Sequence, residues 1–232
     1  MKVSVFKKAF TATLPVMAGY IALGIGLGVI LGNAGFGLPW SIGESVFIYA
    51  GSMQYLSVEL MAGGASLVTV ALTTLMVNCR HLFYGVSMVD KYKNMGLKKP
   101  YLIFALTDET YSLVCHNNGE ISEDEEGLYY LLVSALDHLY WITGCVLGSV
   151  LGSLITFNTE GIDFVLTALF VTIVTDQWIN SEDHVPALTG LIAPVICLLI
   201  FGRDSFLIPS MVLIVASLFA LKGLRKDGEE DG

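Results

Sequence analysis

A chain of 232 residues that is 54% apolar and only 14% charged departs from ordinary soluble domains, which carry about 25% charged residues. Its mean hydropathy of +0.70 and its recurring apolar runs near the ~20 residues a bilayer demands define an all-α integral membrane protein. The net charge of −9 speaks against a nucleic-acid partner, which favours a basic surface.

Lys2, Lys7 and Lys8 precede an apolar stretch over residues 9–31. That stretch is too long for the core of a cleaved signal peptide, so the first membrane helix is expected over residues 11–32. Gly24, Gly28 and Gly32 recur in it at four-residue spacing, a stripe that lets another backbone approach closely. The second segment, residues 42–62, is interrupted by Ala50-Gly51-Ser52-Met53-Gln54. Gly51 weakens a helix there, while Ser52 and Gln54 bring donors and acceptors. A break is expected, with a continuous helix carrying one polar face as the alternative.

The third segment, residues 65–89, holds Asn78-Cys79-Arg80-His81-Leu82-Phe83-Tyr84. An arginine in hydrocarbon costs roughly 2.5–3.5 kcal/mol by insertion scales unless it snorkels or finds a partner inside the protein. A connector with Lys91, Lys93, Lys98 and Lys99 leads to a short fourth segment, residues 101–115, with Thr107-Asp108-Glu109. The acidic stretch 120–126 reads as a solvated loop. A fifth segment covers residues 128–155 with Asp137 and His138 near its start, and a sixth covers 162–178, ending in Asp176-Gln177-Trp178. The seventh is expected at 186–201 and the eighth at 206–221, before a charged tail over 222–232. The result is a single transmembrane domain over residues 1–232, a polytopic helical bundle of about seven to eight hydrophobic segments.

An internal echo suggests two repeats, residues 11–89 and 128–203. Gly19-Tyr20-Ile21-Ala22-Leu23-Gly24, continued by Gly28 and Gly32, parallels Leu139-Tyr140-Trp141-Ile142-Thr143-Gly144, continued by Gly148 and Gly152. Lysine-rich loops stay cytoplasmic, which places the amino end, the 91–99 connector and the 222–226 tail on one side. An odd number of segments separates each pair, so one segment per half should fail to cross. The second and sixth are the expected broken or re-entrant pair, which would make the repeats inverted as in many secondary transporters. Labelling from outside the cell at position 95 would overturn this orientation.

Four motifs, in order, carry a resemblance over nearly the whole chain. Tyr49-Ala50-Gly51-Ser52-Met53-Gln54, Asn78-Cys79-Arg80-His81-Leu82-Phe83-Tyr84, Thr107-Asp108-Glu109-Thr110-Tyr111 and Gly161-Ile162-Asp163-Phe164 resemble the AzlC family, the large subunit of branched-chain amino acid exporters. The resemblance implies efflux of leucine, isoleucine and valine, with methionine as a further candidate, across the cytoplasmic (inner) membrane. It also implies a small, separately encoded AzlD-like membrane subunit. Ala22 stands where the family often has proline, which leaves Pro15 as the remaining candidate for a break in the first helix.

The transport pathway is expected to use Ser52, Gln54, Asn78, Arg80, His81, Tyr84, Asp108, Glu109 and Asp176. Arg80 suits a substrate carboxylate or an acid partner, Asp108 or Glu109; the ordinary alternative is an arginine snorkelling toward the lysine connector. Asp108 and Glu109 lie about 100° apart on a helix, so Asp108 is expected as the inward partner and Glu109 as a proton carrier or helix-contact acid. His81 either titrates with the gradient or bridges helices as a neutral ring. Asn78 and Gln54 either touch substrate or brace neighbouring helices. Asp137 and Asp176 near segment ends are equally readable as hydrated acids. The tryptophans and tyrosines read as an interfacial belt.

Cys79, Cys115, Cys145 and Cys197 lack metal-ligand spacing and read as small buried hydrophobes. No G-x-x-x-x-G-K-[ST] phosphate loop occurs, so no nucleotide is hydrolysed by that route, and no cofactor or metal is expected. A gradient-driven carrier is the leading expectation, with protons favoured over sodium. A passive channel and, less favoured, a membrane-embedded enzyme using His81 with an acid are the alternatives.

Overall fold

The structure is a computed structural model. It describes residues 2–115 and 121–154, and beyond them 171, 174–175, 178–179, 183–202, 206, 209–210 and 212–220. The chain divides into two compact units, Met1–Leu166 and Thr167–Gly232.

In the first unit, helix α1 (Lys2–Asn33) runs unbroken through Pro15. Gly35, at φ 86, then turns the chain, with the Phe36 N–H returning to the Leu31 carbonyl at 2.8 Å. Pro39 occupies the first turn of α2 (Leu38–Phe47), where its missing N–H costs nothing. Helix α3 (Gly51–Ala62) follows after three residues and ends on Gly64 at φ 62. Ser66 caps α4 (Leu67–Ser87), its hydroxyl accepting from the Thr69 N–H at 3.1 Å.

Past a short 3-10 turn (Gly96–Lys98) come α5 (Lys99–Phe104) and α6 (Asp108–Val114). The fourth segment is therefore two helices of 6 and 7 residues, not one. Thr107 ends the run by capping α6, and Asp108 and Glu109 sit in its first turn, where the helix dipole favours acids. Lys91 Nζ donates to the Val114 carbonyl at 3.1 Å and to that of Cys115, closing the other end of α6. Helix α7 (Glu123–Leu154) begins inside the acidic stretch read as a loop, and again the acids lie in a first turn.

Helices α1 and α7 form the backbone-close pair of this unit. A Cβ on Gly28 would lie 2.2 Å from the Cys145 carbonyl oxygen, and one on Gly148 would lie 2.1 Å from that of Ile25. The two echoed glycine stripes thus pack on each other. Gly32 meets nothing within 4 Å and lies outside that contact. A second core gathers Ala9, Met88, Tyr92, Leu102, Leu106, Val114, Tyr130 and Val133.

Three helices are long and apolar enough to cross a membrane: Ser4–Asn33, Leu67–Ser87 and Glu125–Leu154, among the described residues. Helix α4 presents Leu67, Val68, Leu75, Leu82 and Phe83 outward, each more than 60% exposed, as a lipid-facing helix does.

In the second unit, α8 (Val185–Phe201) starts with its Val185 N–H donating to Asp183 Oδ1 at 3.0 Å and Pro186 in its first turn. It shares a cavity of about 320 Å³ with Leu213 and Ser217. The sixth segment, with Asp176 and Gln177, lies largely outside the described residues, those two wholly so.

Candidate functional site

Two helix interruptions define the site. Between α2 and α3 the chain passes through Tyr49, a non-glycine residue at φ 44, held by stacking on His138 with ring centroids 4.2 Å apart. Such a left-handed conformation costs of order 1–3 kcal/mol and persists only where its surroundings enforce it. Between α5 and α6 lie Ala105, Leu106 and Thr107.

Arg80, on α4, joins the starts of the two helices that follow these breaks. Its Nη1 pairs with Asp108 Oδ2 in the first turn of α6, and its Nη2 donates to Ser52 Oγ at the start of α3 at 3.0 Å. Arg80 and Asp108 side chains are each 30% exposed, so the pair is half-buried and reachable. Asp108 rather than Glu109 is the partner, and the guanidinium points to α3 and α6.

Glu109, exposed on α6, turns instead to α1 and accepts from the Tyr20 hydroxyl at 2.7 Å. Tyr20 also lies 2.7 Å from Thr107 Oγ1. Thr107 donates to Thr110 Oγ1 at 3.1 Å, and Thr110 donates to Asp137 Oδ2 at 2.8 Å. Asp137 is fully buried in the middle of α7, its Oδ1 without a hydrogen-bond partner. Reading it as a hydrated end acid was wrong, because α7 begins earlier than its apolar run and Thr110 of α6 covers it.

The remaining candidates fall around this centre. Gln54 is fully buried, its Oε1 accepting from Trp141 Nε1 at 2.9 Å and from the Ala50 N–H at 3.2 Å, so it braces the first break. Tyr84 stacks on Tyr111 at 4.7 Å and neighbours Asp108. His81 packs edge-on to Tyr84 at 6.1 Å and turns back on the Asn78 backbone. Asn78 leaves its buried Oδ1 without a partner.

Sequence reasoning also missed His138, the Tyr20–Tyr49–Trp141 cluster and Glu44. His138 bridges the Ser45 carbonyl at 3.1 Å and the Tyr101 hydroxyl at 3.2 Å. Tyr20, Tyr49 and Trp141 form a buried edge-to-face cluster instead of an interfacial belt, whereas Trp40 and Trp178 are 52% and 40% exposed. Glu44, 5% exposed, accepts from Ser57 and lines an apolar cavity of about 770 Å³ between α2, α3 and α4. Of the cysteines, Cys145 and Cys197 are buried as expected, while Cys79 is exposed and Cys115 half-buried.

Long apolar helices, two short-helix breaks and a half-buried arginine between them define a polytopic α-helical membrane protein with an internal polar centre. The profile described as AzlC protein matches residues 15–155. The chain is 42% identical over 217 residues to the branched-chain amino acid transport protein AzlC of Bacillus subtilis (strain 168), covering 94% of this chain and 85% of that one. It is 36% identical over 221 residues to an uncharacterized membrane protein of Helicobacter pylori (strain ATCC 700392 / 26695), covering 94% and 95%. The inner membrane protein YgaZ of Escherichia coli (strain K12) is 26% identical over 202 residues, covering 82% and 81%. No solved structure matches the chain. The chain belongs to the AzlC family.

Proposed function

We propose that this chain is the large subunit of a secondary transporter that exports branched-chain amino acids across the cytoplasmic membrane, with a small AzlD-like membrane subunit and in exchange for protons. The observation that carries the reading is Arg80, held by Ser52 and Asp108 where α3 and α6 begin. A guanidinium fork with one arm on a neutral hydroxyl suits an incoming carboxylate. Helix α3 has no side-chain cap at its start, so N–H groups of its first turn are free of that kind of partner. The substrate ammonium goes to Asp108, the α6 carboxylate that faces Arg80. The apolar side chain goes to the cavity along α3, whose wall includes Met53, the residue after Ser52. Such a pocket separates leucine from valine by only about 1–3 kcal/mol per methylene. The named function of the Bacillus subtilis relative supports the substrate class.

Export of labelled leucine, isoleucine, valine and methionine from cells with and without the small subunit tests this. Arg80→Lys, which keeps charge but loses the fork, is expected to lower leucine export at least about tenfold. No movement of any of the four in either background removes the substrate assignment. External leucine should also accelerate efflux of loaded label. Efflux indifferent to external substrate would identify a passive channel instead.

A further inference from the structure

We propose that Glu109, Tyr20, Thr107, Thr110 and Asp137 form a proton wire, along which one mobile proton passes between the carboxylates of Glu109 and Asp137. The inference rests on the proton-coupled reading above and names the path that reading requires.

The wire consists of four successive oxygen–oxygen contacts. Glu109 Oε2 to Tyr20 is 2.7 Å, Tyr20 to Thr107 is 2.7 Å, Thr107 to Thr110 is 3.1 Å and Thr110 to Asp137 Oδ2 is 2.8 Å. All fall within hydrogen-bond range. Three hydroxyls supply three hydrogens for those four links, so with both carboxylates ionised one link is empty. One additional proton fills every link.

That proton has two resting arrangements. On Glu109, it donates to Tyr20, Tyr20 to Thr107, Thr107 to Thr110, and Thr110 to Asp137. Transfer passes one hydrogen along each link in turn: Glu109 loses its proton, each hydroxyl gives one hydrogen and receives another, and Asp137 ends protonated. The hydroxyls then donate in the reverse direction. No oxidant or reductant is involved, and one proton moves from one carboxylate to the other.

The ends of the wire differ in access. Glu109 is exposed, whereas Asp137 is fully buried with Oδ1 unpartnered. Tyr20, Thr107 and Thr110, the middle stations, are 5%, 8% and 0% exposed, which keeps water from short-circuiting the path. The charged and titratable groups around it are the Arg80–Asp108 pair from α4 and α6, Tyr84 from α4, Tyr49 from the first break, Tyr101 from α5 and His138 from α7. Asp108, Glu109 and Thr110 share one seven-residue helix, with Thr107 as its cap. A substrate carboxylate that draws Arg80 away from Asp108 therefore acts on the same small element that holds three of the five stations.

The test uses the full chain in vesicles, together with the small subunit if transport requires it. Two signals are read: counterflow of labelled leucine at equal pH, and leucine accumulation driven by an imposed pH gradient of the polarity to which the wild type responds. Tyr20→Phe and Thr110→Val each delete one hydrogen while keeping the side-chain shape. Both are expected to hold counterflow near the wild-type rate and lower gradient-driven accumulation by about tenfold or more. Thr110→Ser, which restores the hydroxyl, should recover it. Wild-type accumulation in both deletion variants overturns the wire alone. Wild-type protein that exchanges leucine but ignores the pH gradient overturns the proton-coupled reading, and the wire with it. Should the deletion variants be unstable, the infrared C=O band of a protonated carboxyl decides. Its loss in Asp137→Asn/Glu109→Gln upholds the wire; its absence from the wild type, or its persistence in that double variant, overturns it.

Discussion

Arg80 and Asp108 are each 30% exposed, a burial between two well-separated energetic regimes. Fully exposed ion pairs contribute below about 1 kcal/mol, whereas breaking a buried pair costs about 3–5 kcal/mol. A double-mutant cycle of Arg80→Ala and Asp108→Ala, read from unfolding in detergent, should give a coupling of about 1–3 kcal/mol. A coupling near zero would make the arginine an interfacial side chain after all. Arg80 was legible in the sequence as a cation after a charge-free apolar run, which must find a partner or snorkel to the interface. Asp137 was not, because its burial depends on Thr110, a residue 27 positions away on a different helix.

Packing between α1 and α7 depends on which glycines meet. Gly28 and Gly148 face backbone, with a Cβ placed 2.2 and 2.1 Å from carbonyl oxygens, while Gly32 faces open space. Gly28→Ala and Gly148→Ala should each lower stability by about 1–3 kcal/mol or more through overpacking. Gly32→Ala should be neutral or gain up to about 1 kcal/mol from helix propensity. Thermal unfolding of the three variants separates the contact stripe from the glycine that merely continues its spacing. The second break was foreshadowed by Thr107 followed by two acids, a helix-start signal inside an apolar run. Hydropathy does not register that signal, because the residues on both sides of it, 101–106 and 110–115, are mostly apolar.

For the molecule as a whole, topology follows from helix length. Helices α2 and α3, of 10 and 12 residues, reach only about 15–18 Å each at 1.5 Å per residue, against a hydrocarbon core of about 30 Å. Long α1 and α4 on either side of them support the proposal that the second segment re-enters and that the amino end and the lysine connector share the cytoplasmic side. Met95 packs against the second core, so Leu97, 101% exposed, is the better labelling position. In a cysteine-free background, Leu97→Cys should react with a membrane-impermeant maleimide only after the membrane is opened. Reaction in intact cells would reverse the orientation.

The sequence alone determined that this chain lives in a bilayer, that its glycine stripes pack helices and that Arg80 must either find a partner or snorkel. Composition, period and the cost of a charge in oil are local properties, readable residue by residue. Only the tertiary structure decided that Asp108 and Ser52 are the partners, that the fourth segment is broken, and that three hydroxyls from two helices connect Glu109 to Asp137. Hydrogen bonds form between atoms a few ångströms apart, and how far apart those atoms lie along the chain says nothing about that distance.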